Sequence, residues 1–569
     1  MLPDGITYKT LPISVAEKII ADVSTGIYRT PAAAIKELLA NAYDADATAV
    51  SISTGAPHFA ELVVRDNGSG MSLVRFLEIM QHIGGSWKRI SQPDGLSPLY
   101  KRPLIGRIGI GLLAVAQLGQ RFYVSSSLRG ENTRFLAEVD LSHFHKDDAA
   151  LRSMINQDGA DSDSDDRIEI GLVRYVDGLP EKESSHFTVI TVPDPKQGLI
   201  SEMYGELRRA IGAEATYSID APAPSFEDLV SVVQRHKRAD SVLDGYFYVM
   251  WELGLLAPVR YLGAGAFIED AISIEGLGNI HLEEPKHFDV TMDGYEIRRP
   301  IRFPNPVAAS YGGPPPKLYP LSFEGVVAGR RLAYEGYIYV QKPHIDPVEL
   351  QGLQIRIRGV GIGPFDRTWM GYPFDEGIKF GQIMGEIFVN DGLESSLNID
   401  RASFRETDPH YLTVRAKIWE ILRTEVFPDF KSRQEAYRKT VQRGRLEAKQ
   451  LRLAQVLERA PEPIGASPRT EVRDRLEMVP RRQVSGNSSV AHEDTVHISG
   501  ERQRIVEVIQ GEVVVDDREF RDATRELKVH ERQMVLNICA IMASYGLWDD
   551  LDEKKARDLL SALAMAVAQ

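Results

Sequence analysis

Glu37-Leu38-Leu39-Ala40-Asn41-Ala42-Tyr43-Asp44-Ala45 is the stretch whose reading decides the fold. Ile35, Leu38, Leu39 and Ala42 recur at helical spacing and form an apolar stripe. Glu37, Asn41 and Asp44 stand four and three residues apart, so they share the neighbouring helix face. The pattern predicts a helix over 31–43. Thr30 can cap it, and Pro31 suits the first helical position, where no amide hydrogen bond is needed. A carboxylate one turn from an amide suits a base beside a metal–phosphate group. Taken alone, the same residues also read as an amphipathic helix with a solvated acidic face, and that plainer reading is the commoner one.

Downstream, strand-like runs at 49–53 and 61–65 lead into Asp66-Asn67-Gly68-Ser69-Gly70-Met71. A carboxylate at this place can accept a hydrogen bond from an adenine amino group, and the glycines let backbone approach a flat ring closely. A simple turn after a strand is the alternative. Farther on, Gly106-Arg107-Ile108-Gly109-Ile110-Gly111 opens an apolar helix. Glycines there leave backbone amides free to point at phosphate oxygens, and the helix dipole favours the anion. The spacing is neither a Walker loop nor the dinucleotide fingerprint, since no Gly-Lys-Ser/Thr follows. Here too, a glycine-rich turn at a helix start is the plainer alternative.

Composition frames these motifs. The chain has 569 residues, enough for about three or four domains. Hydrophobic residues make up 43% and charged residues 26%, ordinary for a globular protein. The net charge of −14 argues against a whole-molecule electrostatic grip on nucleic acid, though not against a local basic surface. A single cysteine, Cys539, excludes an internal disulfide and a thiolate metal cluster and fits a reducing compartment. No signal peptide is visible at the start and no apolar run is long enough to span a bilayer, so the expectation is a cytoplasmic protein without a membrane partner.

The remaining pattern predicts a helix over 11–28, a strand at 122–126, an acidic Asp/Ser loop at 160–166 and a strand at 187–192. Helices are expected through 199–255 and β-rich runs at 267–303 and 321–340. Strands are expected at 353–359 and 384–389, and helices at 409–424 and 431–458. A Pro/Ser-rich linker and a mainly helical end close the chain.

The order Glu-x-x-x-Asn, Asp-x-Gly-x-Gly, Gly-x-x-Gly-x-Gly resembles the three boxes of the GHKL superfamily of gyrase, heat-shock chaperone, histidine kinase and MutL. Thr188, in His186-Phe187-Thr188-Val189-Ile190, falls where that family places a threonine beneath the adenine. Ile83-Gly84-Gly85-Ser86-Trp87-Lys88 looks like the lid segment of the heat-shock chaperone branch. The resemblance covers about the first 200 residues. It implies an α/β fold, a Bergerat-type α/β sandwich with helices on one face of a mixed sheet, binding ATP and Mg2+. Carried over, Glu37 orients and deprotonates the attacking water, and Asn41 holds the magnesium ion. Asp66 reads adenine, helped by Gly70 and, through water, by Thr188. Asp44, Gly68 and Met71 join that pocket. Gly106 through Gly111 wrap the phosphates beneath a lid that includes Ser86 and Lys88.

A shorter likeness lies farther on. Leu397-Asn398-Ile399-Asp400-Arg401 looks like the Leu-Asn-x-Ser-Arg of the chaperone middle domain, with Asp400 in place of the serine. There the arginine reaches the terminal phosphate and the asparagine shapes its loop. Arginine suits that task because it stays charged and grips phosphate with a two-pronged fork. Read from the segment alone, Arg401 is as readily a surface residue pairing with Asp400 or Glu406.

The expected organisation is therefore an ATP-binding domain at 1–215, an S5-like α+β transducer at 216–430 and a basic helix at 431–460. A flexible linker at 461–500 and a small helical domain at 501–569 follow. The resemblance implies an ATP-driven, clamp-like cycle in a homodimer acting on a protein or nucleic-acid client. Two other readings are a non-hydrolysing ATP-sensing scaffold and a histidine protein kinase. The kinase lacks support in a helical hairpin with an acceptor histidine ahead of the ATP site.

Overall fold

The computed structural model of the chain describes residues 6–16, 30–81, 96–105, 114–141, 167–205, 215–262, 274–276, 288–300, 312–398, 401–459, 496–499, 504–509 and 512–568. The chain divides into two compact units, Met1–Tyr437 and Arg438–Gln569.

The first unit opens with a nine-stranded sheet built from β1 (Lys9–Ala16), β2 (Ala49–Ser53), β3 (Leu62–Asp66), β4 (Arg121–Ser127), β5 (Thr133–Asp140), β6 (Arg167–Pro180), β7 (Phe187–Val192), β8 (Asp289–Met292) and β9 (Tyr295–Ile297). Their order is β1-β6-β5-β4-β7-β3-β2-β8-β9. Only β2 and β8 pair in parallel; every other neighbour is antiparallel. The helix expected over 11–28 begins instead as a strand. Leu11, Ile13 and Val15 alternate, which is strand periodicity, and β1 finds a full antiparallel partner in β6. Residues 17–29 of that expected helix lie outside the described residues, as does the acidic loop at 160–166.

The predicted helix over 31–43 is present as Pro31–Asp44. Thr30 caps it with extended backbone, its hydroxyl accepting from the Ala33 N–H at 3.2 Å. Ile35, Leu38 and Leu39 share one core with Phe247, Met250 and Trp251 of the helix Gly245–Leu256, which is apolar on nearly every side and correspondingly buried. That helix, with β8 and β9, carries the first sheet's layer well past the boundary drawn from sequence at 215.

A second sheet contains β10 (Lys317–Val327), β11 (Arg330–Val340), β12 (Gly352–Ile357), β13 (Val360–Gly361) and β14 (Ile383–Asp391), in the order β10-β11-β14-β12-β13. Here β12 and β14 run parallel, so the chain must cross over between them through residues 358–382. The helix Pro409–Ile421, capped by Asp408, buries Val414 and Ile418 against Ile338, Ile355 and Ile387 of this sheet. A helix of 33 residues, Phe427–Arg459, follows. Between the sheets lies a fully buried charge cluster. Arg356 Nε donates to Glu386 Oε1 at 2.6 Å, and the Tyr337 and Tyr261 hydroxyls donate to Glu386 Oε2. Tyr261 is bridged to Arg299 just beyond β9, so one carboxylate ties the second sheet to the end of the first sheet's layer.

The second unit adds a small sheet to the mainly helical end expected. It has three strands, β15 (Val496–Ser499), β16 (Val506–Ile509) and β17 (Glu512–Asp516), beside helices Asp517–Ala523, Val529–Ser544 and Glu553–Ala568. Val513, Val514 and Val515 form a β-branched run between Glu512 and Asp516, a strand signal too short to stand out from sequence. Val515, Phe520, Leu536, Cys539, Trp548 and Leu560 form its core. β15 falls within the stretch expected as a linker; 460–495 lies outside the described residues.

Candidate nucleotide site

The Pro31–Asp44 helix presents Glu37 inward, where it is only 2% exposed. A buried carboxylate needs cationic or hydrogen-bonding partners. Arg401, 364 residues away, supplies one: its Nη1 donates to Glu37 Oε2 at 2.6 Å. Lys36 Nζ stands 3.8 Å from the other oxygen, Oε1. The second prong of Arg401, Nη2, donates to the Ile105 carbonyl at 2.6 Å. These groups line a small cavity with Ile357, Val360, Ile362 and Leu397. Arg401 holds left-handed backbone (φ 48°), a conformation that β-carbon-bearing residues keep only when their surroundings enforce it. Asn398 shapes that turn, its backbone N–H donating to the Ser403 carbonyl at 3.0 Å and its side-chain amide to the Ser403 hydroxyl at 2.8 Å.

Asn41 lies half-buried one turn beyond Glu37. Asp44 is turned onto backbone, its Oδ1 accepting from the Ile105 N–H at 2.6 Å. Ile105 is thus held at its N–H by the helix and at its carbonyl by Arg401, immediately before the predicted phosphate loop.

Asp66 ends β3. Its Oδ1 accepts from the Gly68 N–H at 2.8 Å, and the Ser69 N–H donates to the Ala45 carbonyl at 2.7 Å, so this loop is fastened to the end of the Glu37 helix. Burial pushes the Asp66 carboxyl up to about 6, outweighing the Gly68 and Thr188 backbone N–H groups and the charges of Arg65 and His186. Gly70 has φ +70°, and a Cβ there would meet the Ser127 carbonyl oxygen at 1.9 Å, so no other residue fits. Thr188 is buried on β7 opposite Asp66, with its hydroxyl 3.2 Å from that of Ser126. The Ser126 hydroxyl also accepts from the Met71 N–H at 2.9 Å, which joins Met71 and Thr188 through one side chain.

The structure therefore joins Glu37 and Asp44 to Arg401 through direct contacts and through Ile105, and joins Asp66, Gly68, Gly70, Met71 and Thr188 in a second group fastened beside Asp44 at the helix C-terminus. Ser86, Lys88, Gly106, Arg107, Ile108, Gly109, Ile110 and Gly111 lie outside the described residues, as does Asp400. Sequence reasoning passed over Lys36, Ser126 and the 104–105 strap. Lys36 could have been found as the neighbour of a buried carboxylate; Ser126 gives no signal in a strand of serines.

Residues 28–166 match the family described as histidine kinase-, DNA gyrase B-, and HSP90-like ATPase. This segment is an ATP-binding domain of the GHKL type. The matched residues include all three boxes and end before Thr188 and Arg401. A 97-residue stretch is also 39% identical to the putative type II restriction enzyme HgiDII of Herpetosiphon aurantiacus. That alignment covers 16% of this chain and 14% of the length of that protein.

The pocket residues suit the ligands that such a domain implies. A carboxylate acceptor beside a glycine with no room for a side chain suits a flat ring with an amino donor. No cluster of three or more His, Cys, Asp or Glu able to hold a metal occurs among the described residues. No helix among the described residues is long and apolar enough to cross a membrane.

Proposed function

We propose that the chain is a magnesium-dependent ATPase whose active site is completed by its second domain. The observation that supports this most strongly is Arg401 reaching the Glu37 carboxylate at 2.6 Å from 364 residues away. In this reading Asp66, with Gly70 and Thr188, receives the adenine, and the amides of 106–111 receive the phosphates. Asn41 would hold magnesium, which supplies charge neutralisation at the phosphates. Glu37 takes the proton of the attacking water, and Arg401 leaves it to neutralise charge on the terminal phosphate. General base catalysis at this position contributes about 10²–10⁴-fold. Because the groups come from two domains, nucleotide binding favours the docked arrangement, a population shift that can drive a clamp-like cycle in a homodimer.

The client in this reading is a protein or nucleic acid. The name of the Herpetosiphon relative favours nucleic acid, as does the exposure of Lys431, Arg438, Lys439 and Arg445 along the 33-residue helix. Arg401→Ala should slow hydrolysis at least tenfold, the scale of one charge-assisted hydrogen bond, while ATP affinity changes little. Unaltered turnover would remove Arg401 from the site.

A specific observation favours a second reading, that of a non-hydrolysing ATP sensor. Both Glu37 oxygens face cations, and an oxygen already held by a guanidinium cannot accept a proton from water. If Arg401 stays on Glu37 when nucleotide is bound, ATP is retained intact; recovery of unchanged ATP from the complex distinguishes the two.

A further inference from the structure

Each peptide group from Asp66 to Met71 is held by a hydrogen bond, and the one joining Gly68 to Ser69 is held at both ends. Its N–H, that of Ser69, donates to the Ala45 carbonyl at 2.7 Å, just past the Glu37 helix. Its carbonyl, that of Gly68, lies 2.7 Å from His186 Nδ1, 118 residues away. On either side the Gly68 N–H donates to Asp66 Oδ1, and the Ser69 carbonyl accepts from the Arg129 N–H at 2.9 Å. A Cβ at Gly68 would stand 2.8 Å from both the Ala45 carbonyl oxygen and Asp66 Oδ1, so the turn has no slack on that side.

A carbonyl only accepts, so the contact with Gly68 requires the proton on His186 Nδ1. Arg129 Nη2 stands 3.5 Å from the same nitrogen, but a guanidinium only donates, and one ring nitrogen cannot serve both. The shorter contact decides between them, since hydrogen bonds weaken with distance and 3.5 Å lies at their limit. His186 therefore donates to the turn as the neutral ring or as the imidazolium. It stands two residues ahead of Thr188, which β7 sets opposite Asp66. The segment that brings the threonine to the pocket thus brings the histidine to the turn.

We propose that His186 is a positioning residue for recognition of the base. By holding the Gly68 carbonyl it fixes the turn between Asp66 and Gly70, so that the carboxylate and the bare backbone meet one purine together. This rests on the reading of Asp66 as the acceptor for adenine, and adds the residue that decides how sharply the pocket tells a 6-amino purine from one without the amino group. The reason is geometric. Gly68 carries both links, its N–H on Asp66 and its carbonyl on His186. Releasing the carbonyl lets the residue rotate and takes a fixed donor from the carboxylate. A purine with no 6-amino group gains nothing from the aim of that carboxylate. His186 itself touches no reacting atom.

The test compares ATP with purine riboside triphosphate, which differs only in lacking the 6-amino group. Both are titrated by calorimetry, with magnesium, into the full chain and its His186 variants. The parent should prefer ATP. His186→Ala should weaken ATP roughly three- to tenfold, the scale of one hydrogen bond, and the analogue by no more than about twofold, so the preference shrinks. His186→Asn, whose side-chain amide can place a donor where Nδ1 stands, should restore ATP affinity to within about twofold of the parent, whereas His186→Leu should behave like alanine. Equal losses for the two ligands, the mark of a merely structural role, would overturn the assignment, as would an undiminished preference in His186→Ala or no rescue by asparagine. A parent that binds neither ligand removes the nucleotide reading itself. A parent that binds both equally removes Asp66 as the reader of the amino group, and the assignment of His186 falls in either case.

Discussion

Replacing Asp66 with asparagine separates what this carboxylate does for the ligand from what it does to the fold. Burial raises its carboxyl from 3.8 to about 6, so ionising Asp66 costs about 3 kcal/mol more, at most, in the folded, ligand-free protein than in the unfolded chain. The folded value lies above the unfolded one. The contribution of Asp66 to stability is therefore fully present below about 3.8 and lost as pH rises through about 6. Asparagine has nearly the same shape, keeps an oxygen for the Gly68 N–H and never ionises. Asp66→Asn should accordingly raise the thermal midpoint of the ligand-free protein at pH 8 by several degrees, an advantage that shrinks toward pH 4–5. The same substitution removes a charged acceptor from the adenine amino group and should weaken ATP binding at pH 8 by roughly 10–100-fold. Thermal scans with and without ATP at pH 5 and pH 8 check both halves. A variant less stable than the parent at pH 8 would refute the account of the buried carboxylate. A more stable variant with undiminished ATP affinity would refute its role toward adenine.

Other outcomes follow from the same geometry. Gly70→Ala forces a Cβ to 1.9 Å from a carbonyl oxygen in left-handed backbone, so it should lower stability by at least about 2 kcal/mol and abolish ATP binding, read by chemical denaturation and by calorimetry. Glu386→Gln leaves Arg356 and Arg299 buried without their carboxylate and should destabilise the first unit by about 3–5 kcal/mol, with the second unit, which has its own core, unaffected in hydrogen exchange. Glu252 is pushed up to about 7 by burial, beyond what its hydrogen bond from Thr30 offsets, so Glu252→Gln should be stabilising at pH 8 and nearly neutral below pH 5.

The Glu37 helix and the strands β2, β3 and β7 were legible because each carries one dominant period and clear boundary residues. Thr30-Pro31 marks a helix start, and Asp66-Asn67-Gly68 marks a strand end. The failure at 11–16 has a definite cause. Leu11, Ile13 and Val15 satisfy a strand period, but Ile19, Ile20 and Val23 beyond them completed a helical one, and only the partner strand β6 decides between them. Likewise nothing local marks β8 as belonging with β2; a parallel pair 240 residues apart is a tertiary fact. At the site, motif order named Glu37, Asp66 and Gly70 as parts of one pocket; the small cavity at Glu37 is lined by Ile105, Leu397 and Arg401 and by neither Asp66 nor Gly70. The motif order foretold neither that Arg401 would hold Glu37 nor that Asp44 would turn to Ile105, because both are contacts between residues distant in sequence, 364 and 61 positions apart.

The central claim is that Glu37 belongs to a working ATPase site, and ATP labelled on its terminal phosphate tests it most directly. With magnesium, the parent chain should release the label as inorganic phosphate, while Glu37→Ala should bind the nucleotide and release none. Label transferred to the protein, or equal release from parent and variant, would contradict the account.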